Sequence, residues 1–225
     1  MTIDPVILHR QLTLALEVSV AWSGHAKHPK AANAYRSAYF CYQAGCLLDQ
    51  AICDLCAPSP IKKRQICFDE HDEKIPGEWL LDIVWTEDYE PNGDFKCAIP
   101  KKVCCAVECE SNTSINEFFV DFAKLVNVIS PIKIFLAGLN HTTSEKAYAY
   151  QKMRLEQAAK YISASKPVSE DTEWYVGFWP SPKSKECVSL WDSFREYPHL
   201  NAIYLYRFVD CRFVWQGSRF EFRSS

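Results

Sequence analysis

The sequence lacks a large charge of either sign and lacks any long apolar run. Its 225 residues carry 25 Lys and Arg against 28 Asp and Glu, a formal net charge of −3. There is thus no overall basic field to attract nucleic acid, and any such partner must be held locally. No apolar run approaches the ~20 residues that a membrane span requires, and no signal peptide is apparent. We therefore expect no membrane partner and a cytoplasmic location.

The sequence also lacks the paired Cys and His spacings of a structural zinc site. Cys53 and Cys56 form one Cys-x-x-Cys pair, but no second closely spaced pair accompanies it. This pair also lies within a helical pattern, which argues against zinc. There are 11 cysteines, an odd number, and several fall in segments typical of a core helix or strand. Free thiols of this kind agree with a reducing compartment.

The composition indicates one folded domain over residues 1–225, because 48% of the residues are hydrophobic and 14% are aromatic. Residues 1–60 are predicted to form an N-terminal helical part. An Asp-Pro start and a repeating apolar face predict a helix over 5–22, and a second helix is predicted over 30–56. These two helices are expected to cover one face of a sheet.

The chain is organised around the first two strands of its central stretch. The first predicted strand, 77–86, is interrupted by Asp82, and a turn at 91–94 is expected to connect it to the second strand, 102–111. Glu108 and Glu110 are two residues apart in that second strand, so they are expected to point to the same face. A shorter strand is expected before them, near 65–68.

A helix and a buried strand follow. Ser114 and Glu117 form a Ser-x-x-Glu start signal, and the predicted helix over 114–130 has one apolar face, formed by Phe118, Phe122, Leu125 and Ile129. Residues 132–139 are almost wholly apolar, as in a strand covered on both faces. The sequence therefore predicts the α/β class, with a central mixed sheet flanked by helices.

Residues 141–225 are predicted to form a helix plus a β-rich extension. A capping box at 142–145 begins a helix that ends near Ile162, with an inner face formed by Tyr148, Leu155, Ala159 and Ile162. Aromatic strands are expected over 173–179, 202–209 and 212–222. Four arginines lie in the last stretch, Arg207, Arg212, Arg219 and Arg223. An ordinary sheet extension is favoured over a nucleic-acid surface built from stacking and phosphate contacts.

Charged side chains in apolar strands need a compensating partner, and a hard cation such as Mg²⁺ binds carboxylate oxygens. Asp82, followed 26 residues later by Glu108-Cys109-Glu110 and then by a helix, resembles the core of the PD-(D/E)XK nuclease superfamily, the restriction-endonuclease-like fold. The resemblance covers roughly residues 78–139. It implies that 61–140 is a nuclease-like core which hydrolyses phosphodiester bonds of nucleic acid with Mg²⁺ or Mn²⁺. DNA is then expected in preference to RNA, and a homodimer is allowed.

The same resemblance implies roles for four residues. Asp82, Glu108 and Glu110 would be metal ligands, with Glu110 as a further ligand or a general base. The superfamily normally has Lys at the last motif position, where this chain has Glu110. Lys124 on the following helix is placed to supply that positive charge, in a segment, DFAKL, that is similar to one in bacterial relatives.

Two alternatives stay open at the level of the sequence. Glu108 and Glu110 could lie on an exposed strand face, and Lys124 could merely pair with Asp121 one helical turn away. The chain would then be a catalytically degenerate protein of the same fold, acting as a nucleic-acid-binding or protein-interaction module.

Overall fold

The computed structural model describes residues 2–23, 29–68, 74–75, 80–89, 100–141, 143–165, 171–181 and 202–216. In chain order its elements are α1 (Pro5–Ser23), α2 (Pro29–Cys56), β1 (Ile61–Gln65), β2 (Cys67–Phe68), β3 (Lys74–Ile75), β4 (Ile83–Asp88), β5 (Pro100–Glu110), α3 (Ile115–Asn127), β6 (Ile132–Leu139), α4 (Ser144–Ala164), β7 (Glu173–Pro180), β8 (Tyr204–Val209) and β9 (Arg212–Trp215).

Seven of the strands form one mixed sheet in the order β1-β4-β5-β6-β7-β8-β9, and β2 and β3 form a separate pair. The three central strands β5, β6 and β7 run parallel, while the outer pairs are antiparallel. Helix α3 connects β5 to β6, as expected for parallel neighbours. The predicted α/β class, a central mixed sheet flanked by helices, is confirmed.

Helices pack against both faces of the sheet because successive strand residues point to opposite sides. On one face, α1 and α2 bury residues such as Leu12 and Phe40 against Val107 and Ile134. On the other face, helices α3 and α4 pack over residues such as Phe135. Every residue of β6 is buried, as the apolar run at 132–139 predicts for a strand covered on both sides.

The helix starts follow the sequence signals closely. The Asp4 Oδ1 atom accepts a hydrogen bond from the Val6 N–H at 2.8 Å, which satisfies one free donor of α1. Ser114 caps α3, with its hydroxyl accepting from the Glu117 N–H. Helix α4 is capped by Thr143 rather than one residue earlier, because the Thr143 hydroxyl accepts from the Lys146 N–H.

Three expectations about faces and bounds are wrong. Ile129 is 91% exposed, because α3 ends at Asn127 and Val128 is extended (φ −86°, ψ 135°). Tyr148 is 66% exposed and does not join Leu155 and Ile162 on the buried side of α4. The strand expected at 65–68 is instead β1, which ends at 65, followed by the short β2.

The predicted bounds of the first motif strand are also wrong, because residues 80–82 form a bend and β4 begins at Ile83, so Asp82 lies just before the strand rather than within it. Several other expectations lie outside the described residues: the start of that predicted strand at 77–79, the turn at 91–94, and Arg219 and Arg223. Within the described part of the chain, no helix is both long enough and apolar enough to cross a bilayer.

Candidate functional site

The pairing of β4 with β5 brings Asp82 beside Glu108. Ile83 pairs with Val107 in antiparallel register, so the residue before Ile83 comes level with the residue after Val107. At this point carboxylate side chains, rather than backbone carbonyls, accept the hydrogen bonds between the two segments. The Asp82 N–H donates to Glu108 Oε2 at 2.9 Å, and the Cys109 N–H donates to Asp82 Oδ2 at 2.7 Å. Each carboxylate is thus held by the backbone of the other strand.

Glu108 lies on the face of the sheet that α3 and α4 cover. Its neighbour Val107 belongs to the core under α1 and α2, while Ala106 belongs to the core under α3 and α4. Because side chains alternate along a strand, Glu108 shares the face of Ala106. Glu110 lies on this side too, since its carboxylate interacts with Asp121 of α3.

Glu108 is a buried carboxylate, only 2% exposed. Burial raises its pKa to about 7, and the Asp82 carboxylate adds to this, although the hydrogen bonds from Lys124 and from the Asp82 backbone oppose it. Burial disfavours the charged form of an acid, and a second negative charge acts in the same direction. The neutral form of Glu108 is therefore favoured to a higher pH in the folded chain than in the unfolded chain.

Lys124 reaches Glu108 from helix α3. The apolar side of that helix, with Phe122 and Leu125 buried, packs on the sheet, and Lys124 lies at its border with 46% of its side chain exposed. Its ammonium lies 2.6 Å from Glu108 Oε1 and 2.6 Å from Asp121 Oδ1. Burial alone would lower the pKa of Lys124, but the hydrogen bonds to Asp121 and Glu108 outweigh it and raise that pKa. The pairing with Asp121 and the approach to Glu108 therefore coexist.

Glu110 ends β5 and is partly buried. It accepts a hydrogen bond from the Asn112 N–H. Burial raises the pKa of Glu110 to about 7, helped by the hydrogen bond with Asp121 and opposed by the one from Asn112. Glu110 therefore contacts the start of the β5–α3 connection and helix α3, whereas Glu108 contacts the segment that precedes β4 and Lys124.

The charges of this site do not balance. The Lys124 ammonium contacts the carboxylates of Glu108 and Asp121, and two further carboxyl groups adjoin these, Asp82 beside Glu108 and Glu110 beside Asp121. Burial is the main cause of the raised pKa values of Glu108 and Glu110, and the neighbouring carboxyl groups of Asp82 and Asp121 add to it. A further cation near these carboxyl groups would reduce the repulsion between them.

No group of three or more His, Cys, Asp or Glu side chains among the described residues is arranged to hold a metal ion. Mg²⁺, however, is commonly bound through one or two carboxylates, with water and substrate phosphate completing its shell. Asp82 and Glu108 meet that smaller requirement. Joint coordination of one cation by Asp82, Glu108 and Glu110 stays a prediction.

One residue beside the site, Arg154 of α4, was not identified from the sequence. It is 3% exposed, and its Nη2 group donates to the Thr113 carbonyl at 3.2 Å, just after β5 and Glu110. Its guanidinium also lies 5.4 Å from the ring centre of Phe118 and 4.9 Å from that of Tyr150. The sequence does contain a signal for this residue, because Arg154 lies on the same side of α4 as Tyr150 and Ala158, which are both buried.

Comparisons of this chain with protein-family models, with curated proteins and with solved structures give no match. Support for a function comes from the geometry of Asp82, Glu108, Glu110 and Lys124.

Proposed function

We propose that the protein is a metal-dependent nuclease that hydrolyses phosphodiester bonds of nucleic acid, DNA in preference to RNA. The observation that carries the proposal is the ionisable, buried side chain of Glu108, which contacts both Asp82 and Lys124. A protein gains no stability from burying a carboxylate with a raised pKa, and such groups are concentrated at functional sites.

Asp82 and Glu108 would hold Mg²⁺ or Mn²⁺, with Glu110 as a further ligand or as a base. When bound, the divalent ion supplies an activated water and neutralises charge on the phosphate oxygens. The excess of carboxylates over cations at the site is the reason that the residues suit this ion. Their side chains are also held before it binds, through the hydrogen bonds of Asp82 and Glu108 to the facing strands.

The protonation state of Glu110 suits the role of general base. A base works best when its pKa lies near the operating pH, and burial raises the pKa of Glu110 to about 7. Its partial burial and its position at the end of β5 leave it close to the connection that follows. Glu110 is therefore proposed as the group that accepts a proton from the attacking water.

Lys124 supplies the positive charge that the superfamily motif normally places in the strand. Its aliphatic stem extends from the border of the apolar face of α3, and Asp121 and Glu108 fix its ammonium on either side. A cation fixed in this way stabilises negative charge that develops on a phosphate in the transition state. Lys124 is thus proposed to act on the substrate while Asp121 orients it.

A catalytically degenerate protein of the same fold, acting as a nucleic-acid-binding or protein-interaction module, is the second candidate. One observation favours it: the Lys124 ammonium already neutralises Glu108 directly, at 2.6 Å. A structural ion pair of this kind needs no metal. Metal affinity therefore separates the two candidates.

Metal binding can be measured by isothermal titration of Mg²⁺ and Mn²⁺ into the purified chain at pH 8, after treatment with EDTA. The nuclease proposal predicts binding by the wild type, and loss of at least tenfold in affinity in Asp82→Asn, because one ligand becomes a neutral amide. Asp171→Asn, at an exposed position before β7, is the control and should bind like the wild type. No binding by the wild type, or equal binding by all three, would favour the degenerate protein.

A further inference from the structure

A groove of about 530 Å³ lies between helix α4 and the β8–β9 hairpin. Leu155 of α4 contributes a buried side chain, and Tyr206 and Phe213 contribute partly buried rings. Tyr148, the residue expected in the core, is 66% exposed and lines this groove. The groove therefore combines an apolar base with an accessible aromatic ring at its edge.

The groove carries an excess of positive charge. Lys152, Lys160 and Arg212 line it, with Glu156 as the opposing carboxylate. All three cations are exposed, and no carboxylate of the described residues lies within 4.0 Å of any of them. Six of the other described cations form ion pairs, namely Lys62, Lys63, Arg64, Lys101, Lys124 and Arg207, and the groove brings together three that do not. On a chain of net charge −3, this groove is a local basic surface.

We propose that the groove of Tyr148, Lys152, Lys160, Tyr206, Arg212 and Phe213 binds single-stranded nucleic acid. Proteins that bind single strands combine cations along the phosphate backbone with aromatic rings on which bases stack. A single strand exposes its base faces, whereas a duplex keeps them stacked inside. The exposed ring of Tyr148 lies beside cations that form no ion pair within the described part of the chain, and this combination favours a single strand over a duplex.

The inference rests on the proposed function, because it names the form of nucleic acid that reaches the same face of the sheet. Glu108 pairs with Phe135, Phe135 with Val176, and Val176 with Tyr206. This row crosses three strand spacings, about 14 Å in all. Phe135 and Val176 are buried beneath α3 and α4, so this distance is the separation through the core, and a strand bound in the groove would pass around α4 to approach Glu108; single-strand sites of roughly 4–16 nucleotides allow a path of that kind.

The test is fluorescence anisotropy with a labelled twelve-nucleotide oligothymidylate, measured in EDTA so that no cleavage occurs. Tyr148→Ala should weaken binding by roughly tenfold to a hundredfold, the effect of losing one stacked base. Tyr161→Ala is the matched control, an α4 tyrosine that is 48% exposed, and it should bind like the wild type.

The charges are tested by the salt dependence of binding. The slope of log affinity against log salt should decrease in magnitude by about 2 in the triple variant Lys152→Ala, Lys160→Ala, Arg212→Ala, at ~0.7 for each phosphate contact to a single strand. Lys146→Ala, an exposed lysine in the first turn of α4, should leave the slope unchanged. A labelled oligouridylate tests RNA in the same variants.

Two results would overturn the inference: binding that Tyr148→Ala and the triple variant leave unchanged, or equal binding of polyglutamate and of duplex DNA. The second would identify a general polyanion surface or a docking site for acidic peptides. Failure of the groove proposal can be distinguished from failure of the proposed nuclease function. Metal-dependent cleavage with no loss of binding in the groove variants refutes the groove alone, whereas binding in the groove without any cleavage refutes the nuclease alone.

Discussion

Glu108→Gln should make the metal-free protein more stable at alkaline pH. The folded chain raises the pKa of Glu108 from 4.5 to about 7, a difference of 2.5 pKa units. At 1.36 kcal/mol per unit, this difference corresponds to about 3 kcal/mol. Gln has the same shape and no charge, so it removes the cost of ionising a buried carboxylate.

The pH range follows from the direction of the shift. Between pH 4.5 and 7 the folded chain keeps a proton on Glu108 that the unfolded chain has released, so the wild type loses stability as pH rises through this range. Below pH 4.5 the acid is neutral in both states, and above pH 7 the whole cost is present. The stability difference between Glu108→Gln and the wild type should therefore increase by about 3 kcal/mol from pH 4.5 to 8.5.

The assay is urea unfolding in EDTA at these two pH values, followed by circular dichroism. The change between the two pH values is the informative quantity. Any hydrogen bond that Gln makes less well, for example to Lys124, affects both measurements alike. Glu156→Gln, at an exposed position on α4, is the control and should show almost no pH-dependent difference. A constant difference between Glu108→Gln and the wild type, or one that falls with pH, would show that the folded chain does not raise the pKa of Glu108.

Three further outcomes are expected. Lys124→Ala should lower the cleavage rate at saturating Mg²⁺ by on the order of a hundredfold, with little change in metal affinity. The control Lys146→Ala should cleave like the wild type. Equal rates for both variants would mean that Lys124 only forms a structural ion pair. Lys133→Met should stabilise the protein by about 1–2 kcal/mol at pH 7, because burial lowers the pKa of Lys133 to about 8 and Met needs no charge there. The stability gain should fade between pH 8 and 10.5, because in this range the wild-type lysine loses its proton in the folded state while the unfolded state still keeps it. Thermal unfolding of both proteins at pH 7 and 10.5 measures this change. A stability gain that grows with pH would contradict the prediction. Mg²⁺ should raise the unfolding midpoint of the wild type at pH 8.5 and not that of Glu108→Gln, since only a bound ligand stabilises the folded state; equal shifts would place the metal elsewhere.

Much of the fold could be predicted because its signals are local. The apolar run of β6 gave its bounds, and the Ser114 cap gave the start of α3. Ile129 was misplaced because apolar periodicity continues past the residue where the backbone leaves the helix. Tyr148 was misplaced because the helical pattern does not show which strands lie opposite α4, and these strands leave a groove beside it.

The candidate site could be predicted as a set of residues but not as a set of contacts. Two-residue spacing was enough to put Glu108 and Glu110 on one face. The bond from the Asp82 N–H to Glu108 Oε2 depends on the register of β4 against β5, which no local signal determines. The different surroundings of Glu110, and the approach of Arg154 from 41 residues beyond Thr113, are likewise products of tertiary packing.

The central claim is that Asp82 and its neighbours form a metal-dependent phosphodiesterase centre. The most direct measurement is cleavage of end-labelled single-stranded and duplex DNA, and of RNA, by the wild type, Asp82→Asn and Asp171→Asn, each with Mg²⁺, Mn²⁺ or EDTA. We expect cleavage by the wild type and by Asp171→Asn only when metal is present, and a loss of at least a thousandfold in Asp82→Asn with its fold intact by circular dichroism. Cleavage that persists in EDTA, that Asp82→Asn retains, or that is absent with every substrate and metal would contradict it.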